Sequence, residues 1–326
     1  METLLSVKNL CAAYVQGGQR VRVVDGVSLE LRRGEVLGIA GESGCGKSTL
    51  AQVLALLARP PLWVEQGEFW LDGTIYHLAQ EHRLSRELRG CKVAMLPQGA
   101  LNALNPTARI REIALEVIRA HQPKTTPQEA YARTQERLER LGLPVRVLEA
   151  YPHQLSGGMR QRVVTVISTL LNPKVLIADE PTSALDVSSQ KAVVKLLREL
   201  LEQRVIEGVI FIAHDLPLLR NVADRIAIMY AGKVVELGPS REMVEASRHP
   251  YTKALVEAVL VPEPYIRQRR VEGIEGTPPD LRAPPPGCRF APRCRYAWAR
   301  CRELEPPPFG DKERFAACWL LEGMSA

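Results

Sequence analysis

The chain has 326 residues, of which 46 % are hydrophobic, so it is long enough for one large domain with an appended segment, or for two domains. Its net charge of +6 does not require a nucleic-acid partner, because an anionic ligand or a membrane-bound partner explains it equally well. No stretch approaches the roughly 18 apolar residues of a transmembrane helix, and the N-terminus lacks the basic segment of a signal peptide. We therefore expect a cytoplasmic protein in which the seven cysteines do not form disulfides.

Short apolar runs alternate with turns over residues 4–39 and predict an N-terminal antiparallel β subdomain. The predicted strands are Leu5–Leu10, Val21–Val24 and Val27–Leu31. Tyr14 follows the first of them, upstream of a glycine-rich stretch. An aromatic ring at that position can stack on an adenine, and an ordinary surface tyrosine is the alternative.

The glycine-rich stretch Gly41–Thr49 fits the pattern G-x-x-x-x-G-K-[ST] in full. The apolar run Val36–Ala40 before it predicts a buried strand, and Leu50–Leu57 after it predicts a helix. In this setting the backbone N–H groups of the loop and the N-terminus of the helix bind phosphate oxygens. Lys47 is expected to reach the β- and γ-phosphates of a nucleoside triphosphate, and the Ser48 hydroxyl to ligate Mg²⁺. The predicted ligands of the nucleotide are Gly41, Ser43, Gly44, Cys45, Gly46, Lys47, Ser48 and Thr49.

Strands and helices alternate through the rest of the chain and predict an α/β fold of the P-loop NTPase (RecA-like) type, with a mainly parallel sheet. Helical periodicity in Ile110–Arg119 and Pro127–Leu141 predicts an inserted α-helical subdomain over about residues 100–158. From Pro262 onward, 11 of the 24 prolines fall within 65 residues, which excludes long regular elements. We expect a nucleotide-binding domain over 1–240 and a Pro- and Cys-rich C-terminal extension over 241–326.

Polar side chains stand where several predicted strands end. Gln98 follows the apolar run that begins at Val93, Asp179 and Glu180 follow Val175–Ala178, and His214 follows the next strand. Ligands of a parallel α/β sheet bind at the carboxyl ends of its strands, so these side chains are expected to converge on the phosphate loop.

The chemistry of phosphoryl transfer gives each of these four residues a role. Asp179 is expected to hold Mg²⁺. Glu180 is placed to orient and deprotonate the attacking water, and Gln98 to touch both the metal and that water. His214 can donate to the γ-phosphate. The alternatives are a structural acidic pair for Asp179 and Glu180, and buried structural residues for Gln98 and His214.

A second glycine-rich helix start lies at Leu155–Gln161, about 110 residues after the phosphate loop. Its N-terminus is a second anion-binding end by the same dipole argument. If this turn cannot reach its own phosphate loop, it must bind the phosphate of another subunit. The sequence then predicts two subunits that sandwich the nucleotide.

These motifs resemble those of ATP-binding-cassette (ABC) ATPases, and Leu155–Gln161 resembles the signature motif of that family. The resemblance implies ATP as the nucleotide and Tyr14 as the residue that stacks on adenine. It implies that Ser156, Gly157 and Gly158 clasp the γ-phosphate of a partner cassette. Asp186 is implied to lie in the loop that couples the two sites. The other motifs that carry the resemblance are Gly41–Thr49, Gln98, Val175–Glu180, Ser183–Asp186 and His214.

Further motifs are similar to those of the oligopeptide/dipeptide/nickel importer subfamily: Leu104–Pro106, Tyr151–Arg162, His249–Leu255 and Pro286–Cys294. The chain departs from this subfamily at Gly99-Ala100, where an acidic residue and a proline are usual. That loop faces the permease in the family, so the departure affects partner fit rather than hydrolysis.

The resemblance implies an ATPase that powers import of short peptides, with nickel or another small solute as the alternative cargo. Its partners would be a second ATPase subunit, of a different chain, in a head-to-tail dimer, two transmembrane permease subunits and an extracytoplasmic solute-binding protein, with no nucleic acid. The chain would lie at the cytoplasmic face of the membrane as a peripheral subunit. A soluble ABC ATPase that acts on ribosomes or DNA is the competing class. Such proteins usually carry two cassettes or a long coiled-coil insertion, and the sequence shows neither.

Four of the seven cysteines lie in the tail: Cys288, Cys294, Cys301 and Cys318. Their x5, x6 and x16 spacing matches neither the close pairs of zinc sites nor the usual ferredoxin runs. Six arginines and no acid lie between Leu281 and Arg302, and such charge is expected to lower the pKa of the thiols. Subfamily members with a similar tail carry a [4Fe–4S] cluster, which the resemblance therefore implies. Zinc, disulfides and free thiols are the alternatives.

Overall fold

The computed structural model describes residues 2–79, 87–99, 103–183, 185–258 and 273–323. Two sheets and the helices around them form an α/β fold, as the sequence predicts. The strands are β1 (Thr3–Gln16), β2 (Gln19–Arg32), β3 (Val36–Ala40), β4 (Leu62–Leu71), β5 (Thr74–His77), β6 (Val93–Leu96), β7 (Val175–Asp179), β8 (Gly208–Ile212), β9 (Arg225–Tyr230), β10 (Lys233–Pro239), β11 (Phe309–Gly310) and β12 (Phe315–Ala316). The α-helices are α1 (Lys47–Leu54), α2 (Ile110–His121), α3 (Pro127–Arg140), α4 (Gly157–Thr169), α5 (Val187–Glu202), α6 (Leu216–Val222), α7 (Ser240–Glu245), α8 (Pro250–Glu257) and α9 (Ala299–Glu303).

The larger sheet has eight strands in the order β11-β12-β10-β9-β3-β8-β7-β6. From β9 to β6 all neighbours run parallel, whereas the β9–β10 hairpin and the strands beyond it are antiparallel. All residues of β3, β7 and β8 are buried, which explains why these strands read as unbroken apolar runs instead of alternating ones. The predicted, mainly parallel sheet is confirmed.

The smaller, antiparallel sheet has the order β2-β1-β4-β5. Strand β2 contains both Val21–Val24 and Val27–Leu31, which the sequence predicts as separate strands. The break between them, at Asp25-Gly26, is a bulge rather than a turn, because the register with β1 shifts there and Gly26 adopts φ 67°. This sheet and the face of the large sheet that carries α1 share one hydrophobic core.

The helical insertion contains α2 and α3, close to their predicted bounds. Thr126 caps α3 by accepting a hydrogen bond from the Glu129 N–H at 3.3 Å, while the Glu129 carboxylate accepts from the Thr126 N–H at 2.9 Å. Apolar residues of both helices pack with α4 in the core on the other side of the large sheet. The insertion is therefore fixed to the helix that follows the second glycine-rich turn.

The C-terminal extension joins the large sheet and also has a small apolar cluster of its own around Ala291, Cys301 and Trp319. β12 pairs with β10 at Glu236 and Leu237, and β11 pairs with β12. Helix α8 begins at Pro250, inside the His249–Leu255 motif. Within the described ranges, no helix has both the length and the apolarity to cross a lipid bilayer.

Asp72 joins the two sheets electrostatically. Its carboxylate lies 2.6 Å from the Arg33 guanidinium, and 2.5 Å and 3.4 Å from the ammonium groups of Lys174 and Lys92, which precede strands of the large sheet. Hydrogen bonds from Lys174 and Arg33 lower the pKa of Asp72 to about 2. The ionised carboxylate therefore stabilises the fold above the unfolded-state pKa of about 4 and loses that contribution as the pH falls toward 2.

We expect Asp72→Asn to lower the free energy of unfolding by about 1 kcal/mol at pH 7, because three cations lose a partly exposed partner. Asparagine tolerates the left-handed backbone (φ 49°) of this residue, so the change tests the charge. Urea unfolding at pH 7 and pH 3 measures the free energy of unfolding. The control is Glu116→Gln, which changes an exposed residue of α2. An equal loss at both pH values would contradict the assignment.

Candidate functional site

The phosphate loop connects β3 to α1 and packs against two neighbouring backbones. A Cβ on Gly41 would lie 2.1 Å from the Met229 carbonyl oxygen, and one on Gly46 would lie 2.5 Å from that of Val23. Both glycines also have positive φ, at 150° and 108°. Only glycine fits these two positions, and the loop conformation is fixed as a result.

Lys47 begins α1 and is buried, with its ammonium group turned back onto the loop. Nζ donates to the carbonyl oxygens of Gly41 and Glu42 at 2.7 and 2.9 Å. The adjacent Ser48 donates from Oγ to Oδ1 of Asp179 at 3.2 Å. The first turn of α1 therefore contacts the carboxyl end of β7, which is the fourth strand after β3 in the sequence.

Asp179 is the last residue of β7 and is 2 % exposed. Burial raises the pKa of its carboxyl group, and the neighbouring Glu180 acts in the same direction. A carboxylate and a hydroxyl oxygen side by side are the ligand type that Mg²⁺ prefers. The donor set at Ser48 and Asp179 therefore fits this metal.

Glu180 is the point at which the strand-end residues meet. Its carboxylate accepts from Gln98 Nε2 at 3.0 Å and lies 3.5 Å from Nδ1 of His214. Glu180 also adopts φ 47°, in the left-handed region where a non-glycine residue is strained. Its own N–H donates to the Ile212 carbonyl at 3.0 Å, which holds it between β7 and β8. Strain that the surroundings maintain is typical of functional residues.

Tyr14 lies beside the phosphate loop. Its hydroxyl is 3.4 Å from Oγ1 of Thr49, and the side chain is half-buried against the core below. The aromatic ring therefore lies near the N-terminal end of α1, on the side of the N-terminal sheet.

The second glycine-rich turn faces outward. Ser156 caps α4 by accepting from the Met159 N–H at 3.3 Å. Gly157 and Gly158 are exposed, and no atom lies within 4 Å of a Cβ built on either. Asp186 caps α5 in the same way, accepting from the N–H and hydroxyl of Ser189 at 3.0 and 2.7 Å. The N-termini of α4 and α5 are therefore both capped by side chains of this chain.

The four tail cysteines line one small cavity of about 20 Å³, together with Phe290 and Trp319. That volume holds about one water molecule. Among the described residues, no three His, Cys, Asp or Glu side chains are arranged to hold a metal ion. The fold brings the four thiols around one cavity without arranging them as metal ligands among the residues described.

The expected lowering of the thiol pKa values is wrong for three of these cysteines. Burial raises the pKa of Cys288 and Cys318 to about 11 and also raises that of Cys294. Burial outweighs the positive charge at these thiols, and arginines of this segment pair with carboxylates. The pairs are Arg282–Asp280, Arg289–Asp25, Arg293–Glu42, Arg295–Glu257 and Arg300–Glu322.

Sequence reasoning missed the residues of the C-terminal extension that contact the phosphate loop. Arg293 and Tyr251 both bond to Glu42, the second residue of the loop. The sequence signals were the His249–Leu255 and Pro286–Cys294 motifs, which pointed to a subfamily and not to a contact. The loop and the strand-end residues define a nucleotide-binding protein of the P-loop class.

Comparison with known proteins agrees with this class. Residues 24–183 match the ABC transporter family, and residues 235–301 match the C-terminal region of oligopeptide/dipeptide transporters. The fold resembles the dimeric ATP-binding cassette MJ0796 in a post-hydrolysis state with ADP and phosphate. The TM-score is 0.62 at 28 % identity, and the match covers 73 % of this chain and 99 % of that one.

Two curated relatives match over nearly the whole chain. The oligopeptide transport ATP-binding protein OppD of Bacillus subtilis is 39 % identical over 98 % of this chain and 89 % of its own length. The dipeptide transport ATP-binding protein DppD of the same organism is 38 % identical over 99 % and 96 %. The chain belongs to the ABC transporter family of ATP-binding proteins, in the group that carries the oligopeptide/dipeptide transporter C-terminal region, and it is an ATPase.

We expect Asp179→Asn to raise the melting temperature of the nucleotide-free protein at pH 7.5. The folded-state pKa of Asp179 is raised, so its ionisation destabilises the fold above the unfolded-state pKa of about 4. Asparagine keeps an acceptor for Ser48 while it removes the charge.

Calorimetry at pH 7.5 measures the change, and Asp186→Asn is the matched control. The hydrogen bonds from Ser189 lower the pKa of Asp186, so removing that charge does not raise the melting temperature. A lower melting temperature for Asp179→Asn would overturn the prediction.

Proposed function

We propose that this ATPase powers the import of short peptides through separate permease subunits. The observation that carries the proposal is the contact of Gln98 and His214 with the Glu180 carboxylate, next to the Ser48–Asp179 pair. These groups form one polar surface at the carboxyl edge of the large sheet, beside the phosphate loop. The import of peptides is supported by the names of the relatives and by the matching C-terminal region.

Glu180 is the proposed general base for the attacking water. Its carboxylate is held by two neighbours and lies outside the metal pair, so it can accept a proton while the Asp179 carboxylate serves the cation. Gln98 orients the water, and His214 donates to the γ-phosphate and detects its loss. Positioned proton transfer of this kind contributes about 10²–10⁴-fold in rate.

Lys47, Ser48 and Asp179 are proposed to hold the triphosphate and its cation. The Lys47 ammonium exchanges its loop carbonyls for β- and γ-phosphate oxygens, while the backbone of Gly41–Thr49 surrounds the phosphates. Mg²⁺, when bound by Ser48 and Asp179 with Gln98 beside them, neutralises charge that develops on the phosphoryl group. Tyr14, next to Thr49, is proposed to stack on the adenine.

The second glycine-rich turn is proposed to complete the site of a partner cassette. Ser156, Gly157 and Gly158 are exposed at the N-terminus of α4, where an anion is favoured. A head-to-tail dimer brings this turn to the opposing γ-phosphate, with Asp186 in the loop between the two sites. The partner is proposed to be a second ABC ATPase of a different chain.

The transporter is proposed to comprise this cassette over 1–240, the extension over 241–326, two permeases and an extracytoplasmic solute-binding protein. The chain then lies at the cytoplasmic face of the membrane, with the loop after Gln98 and the helical insertion toward the permeases. Nickel, or another small solute, is the alternative cargo. A role on ribosomes or DNA would instead predict co-sedimentation with those particles.

The four tail cysteines are proposed to act as one group, with a [4Fe–4S] cluster as the occupant and zinc as the alternative. The support is their shared cavity with mainly apolar walls. The thiols must lose their protons before they can bind iron, and no step of ATP hydrolysis is assigned to them.

We expect Glu180→Gln to bind MgATP with unchanged affinity but to hydrolyse it at least 100-fold more slowly, because it loses the base. In membrane vesicles that contain the assembled transporter, uptake of a labelled dipeptide should cease. Glu199→Gln, on the outer face of α5, is the control. Sustained turnover in the Glu180 variant would refute its role, and uptake of nickel but not of peptide would select the alternative cargo.

The Glu180→Gln variant should also accumulate as a closed dimer in the presence of MgATP. Light scattering detects this dimer, either with this chain alone or after the partner cassette is added. Adding Gly158→Asp should abolish that dimer, because the new carboxylate faces the opposing triphosphate. The side chain meets no atoms within the subunit, and an acid suits the first turn of a helix, so the monomer should keep its stability. Gly158→Ala is the control, and a dimer that survives the aspartate would exclude this interface.

We expect protein purified without oxygen to contain about four iron and four sulfide per chain and to absorb visible light. Cys288→Ser should remove both the iron and the colour, whereas Cys91→Ser, outside the tail, should not. Zinc without iron would select the alternative occupant, and absence of both metals would reject a metal site.

A further inference from the structure

The C-terminal extension contacts the phosphate loop through a partly buried ion pair. Nη1 and Nη2 of Arg293 donate to the two carboxylate oxygens of Glu42 at 2.6 and 3.0 Å. Glu42 directly follows Gly41 at the start of the loop. The Arg293 side chain is 4 % exposed and the Glu42 side chain 25 %, so the guanidinium end of this two-pronged contact is shielded from solvent.

The guanidinium of Arg293 is also fixed on its other sides. Nε donates to the Glu275 carbonyl at 2.9 Å, Nη2 to that of Ile274 at 3.2 Å, and Nη1 to the Tyr230 hydroxyl at 3.2 Å. With the two bonds to Glu42, all five N–H donors of the side chain are used. These contacts fix the position of the Arg293 guanidinium, and the guanidinium in turn fixes the position of the Glu42 carboxylate.

The backbone of Glu42 is held by the same extension. Its N–H donates to the Tyr251 hydroxyl at 2.8 Å, and Tyr251, on α8, packs against Tyr230 and Phe290. The Glu42 carbonyl in turn accepts from Lys47 Nζ at 2.9 Å. A chain of direct contacts thus runs from the tail through Glu42 to the lysine of the phosphate loop.

The far side of the loop is held in a similar way. Arg289 donates to the Ala231 carbonyl and pairs with Asp25. The next residue, Gly232, donates its N–H to the Cys45 carbonyl in the loop at 2.8 Å. Two arginines of the cysteine-rich segment, one on each side, therefore limit how the loop can move.

A glycine-rich loop that is ordered before it binds loses less conformational entropy on binding. An ordered loop thus favours nucleotide affinity more than it favours the chemical step. Arg293 does not touch the atoms that react, so it can act only through Glu42.

We propose that Arg293 is a positioning residue for MgATP, which makes the C-terminal extension part of the nucleotide site. The extension sets the position of the phosphate loop through the Arg293–Glu42 pair. This inference rests on the phosphate-binding role proposed above for the loop.

The test measures MgATP binding and steady-state hydrolysis with the full-length chain. Arg293→Ala should raise Kd and KM for MgATP about tenfold or more, while kcat falls less than about threefold. Arg293→Lys should recover only part of the affinity, because an ammonium cannot form the two-pronged contact. Arg295→Ala is the matched control, since Arg295 lies two residues away and pairs with Glu257 at an exposed site.

A double-mutant cycle tests whether the effect passes through Glu42. Glu42→Ala alone should weaken binding to a similar extent, and Arg293→Ala should add less than about twofold in that background. If Arg293→Ala does not fold, the lysine variant and Glu42→Ala provide the same comparison.

Three results separate the possible failures. A reduced melting temperature with unchanged Kd and KM would mean that Arg293 only stabilises the fold, and the inference would be overturned. Additive effects of the two substitutions would exclude action through Glu42. Lys47→Ala serves as the reference arm: if it leaves MgATP binding intact, the phosphate-binding role of the loop itself is wrong.

Discussion

The close packing of the phosphate loop against two neighbouring backbones is the constraint on which the site depends. Gly41 lies against Met229 of β9 and Gly46 against Val23 of β2, each too close to admit a side chain. The loop is therefore held between the two sheets, and its shape depends on both. Lys47 and the first turn of α1 take their positions from this loop, so the antiparallel subdomain is structurally part of the proposed nucleotide site.

Parallel strand order explains how residues distant in sequence reach one surface. Because β6, β7, β8 and β3 run side by side in the same direction, the residues that follow them meet at one edge. Glu180 contacts both Gln98 and His214 there, whereas Asp179 accepts a hydrogen bond from Ser48. The two adjacent acids thus have different partners, and burial raises the pKa of Asp179. This separation suits one carboxylate to a cation and the other to a proton.

The C-terminal extension gives its charges to the cassette instead of keeping them for its cysteines. Arg289 and Arg293 lie beside Cys288 and Cys294 in sequence, yet their guanidinium groups pair with Asp25 and Glu42. The thiols remain in a small cavity with mainly apolar walls, where burial raises the pKa of Cys288, Cys294 and Cys318. Local charge in the sequence was a poor guide here, because an arginine pairs with the carboxylate that tertiary packing brings to it.

The sequence alone predicted the phosphate loop, the alternation of strands and helices in the core, and the strand-end residues Gln98, Asp179, Glu180 and His214. These follow from local patterns: glycine spacing, apolar period, and a polar residue at the end of a buried strand. Only the tertiary structure decided which of those residues touch, and that Arg293 reaches Glu42 across some 250 residues of chain. The physical reason is that hydrogen bonds and ion pairs depend on distance in space, which a linear pattern predicts within an element but not between a tail and a distant loop.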